Sequence, residues 1–186
     1  VIETQAQNLA DYIPTNLISI TDGQIYLSPD LFQAGVLPAI DITMSVSRVG
    51  GDAQLPAYRA VVADLKLAYA QFEELEAFSR FGSRLDPQTR RQLERGRRVR
   101  EILKQAEHDL VPVPEQIAVL FAATTGLLDE VPVDDVAQAE AVIREQVRLA
   151  GDWLGGRIAR GEKIGDDERE AMQRMIVQAL ASAGLD

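Results

Sequence analysis

The sequence contains no cysteine, which excludes a disulfide framework and any thiolate metal site. It has a single histidine, His108, set between Glu107 and Asp109. A lone histidine in such a polar connection reads as a surface residue, not as a metal ligand or a general base. No run approaches the roughly 18 apolar residues that span a bilayer, and no signal-peptide pattern is recognisable. Any membrane association is therefore expected through partners. Basic residues are in the minority, with 19 Lys and Arg against 29 Asp and Glu. No broad basic face is implied, which argues against nucleic-acid binding. No Gly-x-x-x-x-Gly-Lys-Ser/Thr loop occurs, so the main phosphate cradle of a nucleotide-binding domain is missing from these residues.

What is present suits a globular protein: 46% hydrophobic and 26% charged over 186 residues, enough for one sizeable core or a small domain plus part of another. The first fifty residues read as α/β. Gln7 to about Tyr12 is expected to be a short helix stopped before Pro14. Leu17 to Ile20 is apolar and β-branched and is expected to be a buried strand, closed by the turn Asp22-Gly23. Gln24 to Leu27 is the next strand. Ser28-Pro29 then opens a short helix, with Ser28 as N-cap and Pro29 in the first position, and Gly35 ends it.

From about Leu55 the pattern turns helical. Tyr58, Val61, Val62, Leu65, Ala68, Tyr69, Phe72, Leu75 and Phe78 form one long apolar stripe. Gly82-Ser83 breaks it, and Asp86-Pro87 restarts a helix that carries Arg90, Arg91, Arg95, Arg97, Arg98 and Arg100. The expected role of this cluster is a solvated face paired with Glu94 and Glu101, in preference to a polyanion site. The next helix buries Ile117, Leu120 and Phe121 and ends at Gly126. Val136 to Leu154 reads as another amphipathic helix, loosened by Gly155-Gly156. Asp166-Asp167 opens the last one, with Met172, Met175, Ile176, Ala179 and Leu180 facing inward and Gly184 as its stop. Trp153 is expected to be core filler.

One stretch carries more chemistry than its neighbours: Ser45-Val46-Ser47-Arg48-Val49-Gly50-Gly51. A strand end running into two glycines presents an arginine on a short mount, and a guanidinium is a fixed cation with a fork suited to phosphate oxygens. An isolated Ser-x-Ser-Arg occurs often by chance and by itself means an ordinary surface arginine. Here it follows Tyr12-Ile13-Pro14-Thr15-Asn16-Leu17-Ile18-Ser19-Ile20-Thr21-Asp22-Gly23-Gln24-Ile25, Ala34-Gly35 and Pro38-Ala39-Ile40. Downstream come Glu74-Leu75-Glu76-Ala77-Phe78, Phe81-Gly82-Ser83, Leu85-Asp86, Arg95-Gly96-Arg97, Leu103-Lys104-Gln105 and Gly126-Leu127-Leu128-Asp129-Glu130-Val131-Pro132-Val133. In this order, from Val1 to about Val133, they closely resemble the α-subunit family of F-type ATP synthases. From about Asp134 only the helical pattern is shared.

The resemblance implies an α+β fragment. Residues 1–54 would be the C-terminal end of a P-loop-type α/β nucleotide-binding domain, and 55–186 a mainly α-helical bundle domain. The family's α subunit carries its P-loop upstream of the residues matched here, so the chain is expected to be the C-terminal part of a longer subunit. The implied function is that of the non-catalytic subunit in the head of a rotary ATP synthase. Arg48 would reach in trans into the ATP site of an adjacent β subunit, where phosphoryl transfer needs positive charge. Ser19 matches the family serine at the same interface near the γ-phosphate; taken alone it would be a strand hydroxyl satisfied by the backbone. Ser45 and Ser47 would support the arginine, with Ser45 the more important for activity. A second nucleotide, bound but not turned over, would meet Gln105 and Pro38. Two positions depart from the family there: Leu37 stands where arginine is frequent and Glu107 where a second glutamine is frequent, changes that should weaken or alter that pocket.

The implied cofactor is ATP or ADP with Mg2+, held mainly by residues outside this chain, and no metal ligand is assigned within it. Implied partners are β subunits in an alternating hexamer, the γ-type central stalk and a peripheral stalk with its δ-type subunit. The region near Leu128-Asp129-Glu130-Val131-Pro132 would face the central stalk. The location implied is peripheral, on the cytoplasmic face of a bacterial plasma membrane, joined to it only through the ion-translocating sector. The isolated chain is not expected to catalyse. The β subunit itself fits less well, because Asp129-Glu130-Val131-Pro132 lacks that subunit's dense acidic run. The competing expectation is a structural helical interaction module that keeps the ancestral sequence without an active interface.

Overall fold

The computed structural model describes residues 1–5, 8–63, 65–79 and 85–185, and of Asp152, Trp153 and Ala159 the backbone alone. The expected break at Gly82-Ser83, the helix start at Gln7 and the packing of Trp153 lie outside the described residues. The chain divides into two compact units, Val1–Ala53 and Gln54–Asp186.

The first unit opens with helix α1, Tyr12–Ile20. This overturns both expectations for the segment, the helix stopped before Pro14 and the strand at Leu17 to Ile20. Pro14 is the third residue of α1, inside the first turn, where an N–H has no intrahelical acceptor and its loss costs nothing. The Asp11 carbonyl accepts from Thr15 N at 3.0 Å, and the later hydroxyls bond back along the helix, Ser19 Oγ to Thr15 O at 2.8 Å and Thr21 Oγ1 to Leu17 O at 2.9 Å. A four-residue apolar run cannot by itself separate strand from helix, and here the helix start decides.

Strand β1, Gly23–Leu27, pairs antiparallel with β2, Ile40–Ser47. Helix α2, Pro29–Gln33, lies between them, with the Ser28 hydroxyl accepting from Leu31 N as expected. The ladder runs from Gly23 opposite Ser47 to Leu27 opposite Ile40, with a bulge where Gln24 faces Val46 but Tyr26 faces Asp41. The bulge is held from inside. Asp41 Oδ1 accepts from Thr43 N and Met44 N, both at 2.9 Å, and Ser45 Oγ accepts from Tyr26 N at 3.0 Å.

The second unit is a helical bundle. Its expected single stripe is divided into α3, Pro56–Val62, and α4, Leu65–Ser79. Helix α5, Pro87–Ile102, starts as expected, with Asp86 accepting from Gln88 N and Thr89 N. At the centre stands α6, Val113–Thr125, buried without a gap from Ile117 to Ala123, as an all-round apolar helix must be. Gly126 closes it in the left-handed region at φ +82°. The expected helix from Val136 to Leu154 is two helices, α7, Val136–Leu149, and α8, Asp152–Ala159, separated at Gly151. Helix α9, Asp166–Ser182, begins with Glu168 accepting from Gly165 N at 2.9 Å, and buries Met172, Ile176, Ala179 and Leu180 while Met175 is half-buried. Arg169 ties it to α3 through the Ala60 carbonyl at 3.1 Å.

The arginines of α5 are not simply a solvated face. Arg97 does pair with Glu94, at 2.8 Å, but Glu101 pairs with Lys104. Arg100 forks onto Glu76 of α4 at 2.7 and 3.1 Å and lies 4.5 Å over the Phe72 ring. Arg95 bonds the Asp129 carboxylate, and Arg98 donates to Val131 O at 2.7 Å, so two arginines pin the loop that follows α6. Leu128 and Val131 of that loop are buried beneath them.

Candidate functional site

Arg48 stands one residue past the end of β2, where the backbone turns into a short 3-10 segment at Gly50–Ala53. Its backbone N–H donates to Asp22 O at 2.8 Å, which ties this turn to the turn before β1. Its guanidinium reaches Ile18 O at 3.3 Å, at the C-terminal end of α1 where carbonyls lack intrahelical donors. The side chain is exposed. Among the described residues one carbonyl uses one donor of five, which leaves most of the fork available.

Ser19 is the residue after the carbonyl that holds Arg48, so the two lie together at the end of α1. Its hydroxyl is exposed, on a helix and not in a buried strand. Ser45 and Ser47 act beneath the arginine. Ser45 Oγ fastens the bulge of β2 and donates to Asp41 O at 2.5 Å, while Ser47 Oγ accepts from Gly50 N at 3.0 Å and fixes the start of the turn. Gly23 is needed opposite: a Cβ there would collide with the Val46 carbonyl. The arginine is thus carried by a bulged hairpin whose backbone is pinned on both sides.

The other candidate residues belong to different units. Pro38 is in the first, exposed, after a cis peptide bond from the exposed Leu37. Gln105 is in the second, in the turn that follows α5. There it lines a cavity of about 190 Å3 with Tyr58, Lys104, Asp109, Gln116 and Glu140 among its neighbours. The Gln105 amide donates to the Asp109 carbonyl, closing the turn on itself, and His108 between them takes φ +67°. The carboxylate of Glu107 is directed to solvent, 89% exposed.

Behind this turn lies a charged network that sequence reasoning missed. Glu115, in the first turn of α6, has a side chain only 4% exposed. It accepts from Arg148 Nε and Arg144 Nε, both at 2.9 Å. Arg144 then forks onto the Asp109 carboxylate at 3.0 and 3.1 Å, with Glu140 3.5 Å away. Burial raises the Glu115 carboxyl, but the hydrogen bonds from Arg148 and Arg144 more than offset this and hold it below its ordinary range. The Arg144 hydrogen bond lowers Asp109, whereas desolvation raises Glu140. The available signals were an acidic residue opening an apolar helix and two arginines four apart on another. Among the described residues no group of three carboxylate or imidazole side chains could hold a metal ion, and no helix is long and apolar enough to cross a membrane.

Residues 54–179 match the C-terminal domain of the ATP synthase alpha/beta chain, and residues 1–47 match the nucleotide-binding domain of the ATP synthase alpha/beta family. ATP synthase subunit alpha 2 of Syntrophus aciditrophicus (strain SB) is 56% identical over 182 residues, which is 98% of this chain and 35% of that protein. ATP synthase subunit alpha 1 of Shewanella frigidimarina (strain NCIMB 400) is 56% identical over 181 residues, 97% of this chain and 35% of that protein. ATP synthase subunit alpha 1 of Marinomonas sp. (strain MWYL1) is 52% identical over 186 residues, 100% of this chain and 36% of that protein. The likeness therefore runs through the tail after Asp134, beyond the shared helical pattern expected there. The chain spans about a third of the length of these relatives. With both matches in sequence order and identity above one half across nearly every residue, this chain belongs to the ATP synthase alpha/beta family and resembles the C-terminal region of its alpha subunits.

Proposed function

We propose that this chain works as the C-terminal part of the non-catalytic alpha subunit in the head of an ion-translocating rotary ATP synthase, and that Arg48 completes an ATP site on an adjacent beta subunit. The observation that carries the reading is the mount of Arg48. Its backbone is tied to Asp22, its guanidinium rests on the Ile18 carbonyl beside Ser19, and most of its fork is left available. A fixed cation with free donors is what a γ-phosphoryl group needs as its charge spreads in the transition state. The nucleotide is ATP or ADP with Mg2+, bound mainly by residues outside this chain.

In this reading residues 1–54 close the nucleotide-binding domain and 55–186 form the domain that meets the rotor. The loop after α6, held by Arg95 and Arg98, supplies a firm face toward a γ-type central stalk. Beta subunits, that stalk and a peripheral stalk are the partners. The assembly sits at the cytoplasmic face of a bacterial plasma membrane, and the ion path belongs to other subunits. Ser19 shares the interface with Arg48, Ser45 keeps the bulged hairpin in shape, and Gln105 serves a second nucleotide that is not turned over.

The test is Arg48→Ala in the full-length subunit, assembled with its partners. Turnover is expected to fall about a thousandfold or more, with nucleotide binding at the beta site nearly intact. Arg48→Lys should not restore it, because an ammonium cannot replace the fork. Unchanged turnover in Arg48→Ala would leave the structural interaction module as the better account, which the self-contained core of the second unit would then favour.

A further inference from the structure

We propose that Arg144 is a positioning residue for the Gln105 pocket, acting through Asp109. The proposal rests on the reading of Gln105 as a nucleotide contact. Gln105 lies in the connection between α5 and α6, which is closed locally by Asp109 N donating to Ala106 O at 3.2 Å and by Gln116 donating to Val111 O at 2.7 Å. Its amide is held by the Asp109 carbonyl, and the turn includes a non-glycine residue, His108, at φ +67°. A turn of this kind keeps one shape only if its far end is anchored.

The anchor is the guanidinium of Arg144, which grips both oxygens of the Asp109 carboxylate at 3.0 and 3.1 Å. Arg144 is itself immobilised. Its side chain is 15% exposed, and its Nε donates at 2.9 Å to Glu115, whose other oxygen is taken by Arg148. A continuous series of charge-assisted bonds thus runs from α7, through the first turn of α6, to the residue whose carbonyl holds the Gln105 amide. Glu140, on α7, lines the same cavity and lies 3.5 Å from Arg144. Asp109 itself lines the cavity, whereas Arg144, Arg148 and Glu115 are not among its lining residues and act from behind it. The effect of the series is to raise the fraction of molecules in which Gln105 already faces the cavity, and apparent affinity scales with that fraction.

The experiment uses the full-length subunit and measures equilibrium binding of a fluorescent ATP analogue with Mg2+ at the non-catalytic site. Four variants are compared: Gln105→Ala, Asp109→Asn, Arg144→Lys and Glu76→Gln. Asp109→Asn removes the gripped charge but keeps the size of the side chain, so it remains informative if Arg144→Lys fails to fold. Glu76→Gln is the structural control, since Glu76 is forked by Arg100 in the same manner at 2.7 and 3.1 Å between α4 and α5. If the Gln105-competent fraction drops to about a tenth, Asp109→Asn and Arg144→Lys each weaken binding about tenfold and Glu76→Gln leaves it unchanged, whereas wild-type affinity in a folded Arg144→Lys overturns the role of Arg144. Wild-type affinity in Asp109→Asn, with Gln105→Ala weakened, overturns the positioning role and leaves the pocket reading standing. Equal weakening in Asp109→Asn and Glu76→Gln also overturns it, since that is general loosening. Wild-type affinity in Gln105→Ala removes the pocket reading, and the proposal with it.

Discussion

Gly96 and Phe72 meet where α5 crosses α4, beside a cavity of about 230 Å3 that both residues line. A Cβ on Gly96 would fall inside the Phe72 side chain, against its own Cβ as well as the ring. Phe72 is 2% exposed and lies under the Arg100 guanidinium, so a displaced ring also disturbs the fork on Glu76. Alanine gains about 1 kcal/mol of helix propensity over glycine, while overpacking a closed core costs about 1 to 3 kcal/mol. The contact reaches the base of the Phe72 side chain, which cannot swing away, so the packing cost wins. Gly96→Ala is expected to destabilise the protein by up to about 2 kcal/mol, read as a lower urea midpoint at unchanged slope. Adding Phe72→Leu should recover part of that loss, which a backbone effect at Gly96 would not allow.

At the scale of elements, α7 and α8 were expected as one helix, and the residue that divides them is Gly151. Its φ of +72° with ψ of −156° belongs to a region open essentially to glycine alone. Nothing lies within 4 Å of where a Cβ would be, so Gly151→Ala tests the backbone and not a clash. It should cost about 1 to 3 kcal/mol, read from thermal unfolding, and a wild-type midpoint would mean that the break is made by packing instead. An isolated glycine inside a helical period is tolerated at a cost of about 1 kcal/mol, so this boundary left no clear trace in the sequence. Where the deciding interaction is local, the reading succeeded. Ser28 with Pro29, Asp86 with Pro87, and Gly126 all end or begin helices as expected, because each acts on residues within one turn. The first helix failed for the converse reason, since β-branched Ile18 and Ile20 weigh less than a helix start that places Pro14 within its first turn. The arginines of α5 and the Glu115 network were illegible for a third reason. The partners of Arg95, Arg100 and Arg144 lie 24 to 35 residues away in sequence, so no spacing records them, unlike Arg97 with Glu94. For Arg48, the strand end and turn were readable from Ser47-Arg48-Val49-Gly50-Gly51, but the Ile18 carbonyl that it rests on was not.

For the whole molecule, the net charge of -10 hides groups that pull stability in opposite directions with pH. Asp109 is lowered by its hydrogen bonds from Arg144, and Glu115 is lowered by Arg148 and Arg144 despite its burial. Groups whose folded values are depressed stabilise fully above their unfolded values, near pH 4, and that contribution drains as pH falls through the folded ones. Glu140 behaves in reverse. Desolvation raises its folded value, so its contribution is complete below its unfolded value, near pH 4.3, and is lost as pH rises through the raised one. Between neutrality and about pH 5, then, acidification should first add a little stability through Glu140. Below about pH 4 the loss at Asp109 and Glu115 should dominate, because two coupled carboxylates and both arginine forks are involved. Urea midpoints measured from about pH 7 to about pH 3 should therefore pass through a mildly acidic maximum. Glu140→Gln should remove the rise on the neutral side and leave the acid fall in place. Asp109→Asn should make the acid fall shallower and also shrink the rise, because the Asp109 charge is one cause of the raised Glu140 value. If Glu140→Gln instead kept the full rise, the proton taken up on folding would have to sit on a group other than Glu140, and the network around Arg144 would be relieved of that role.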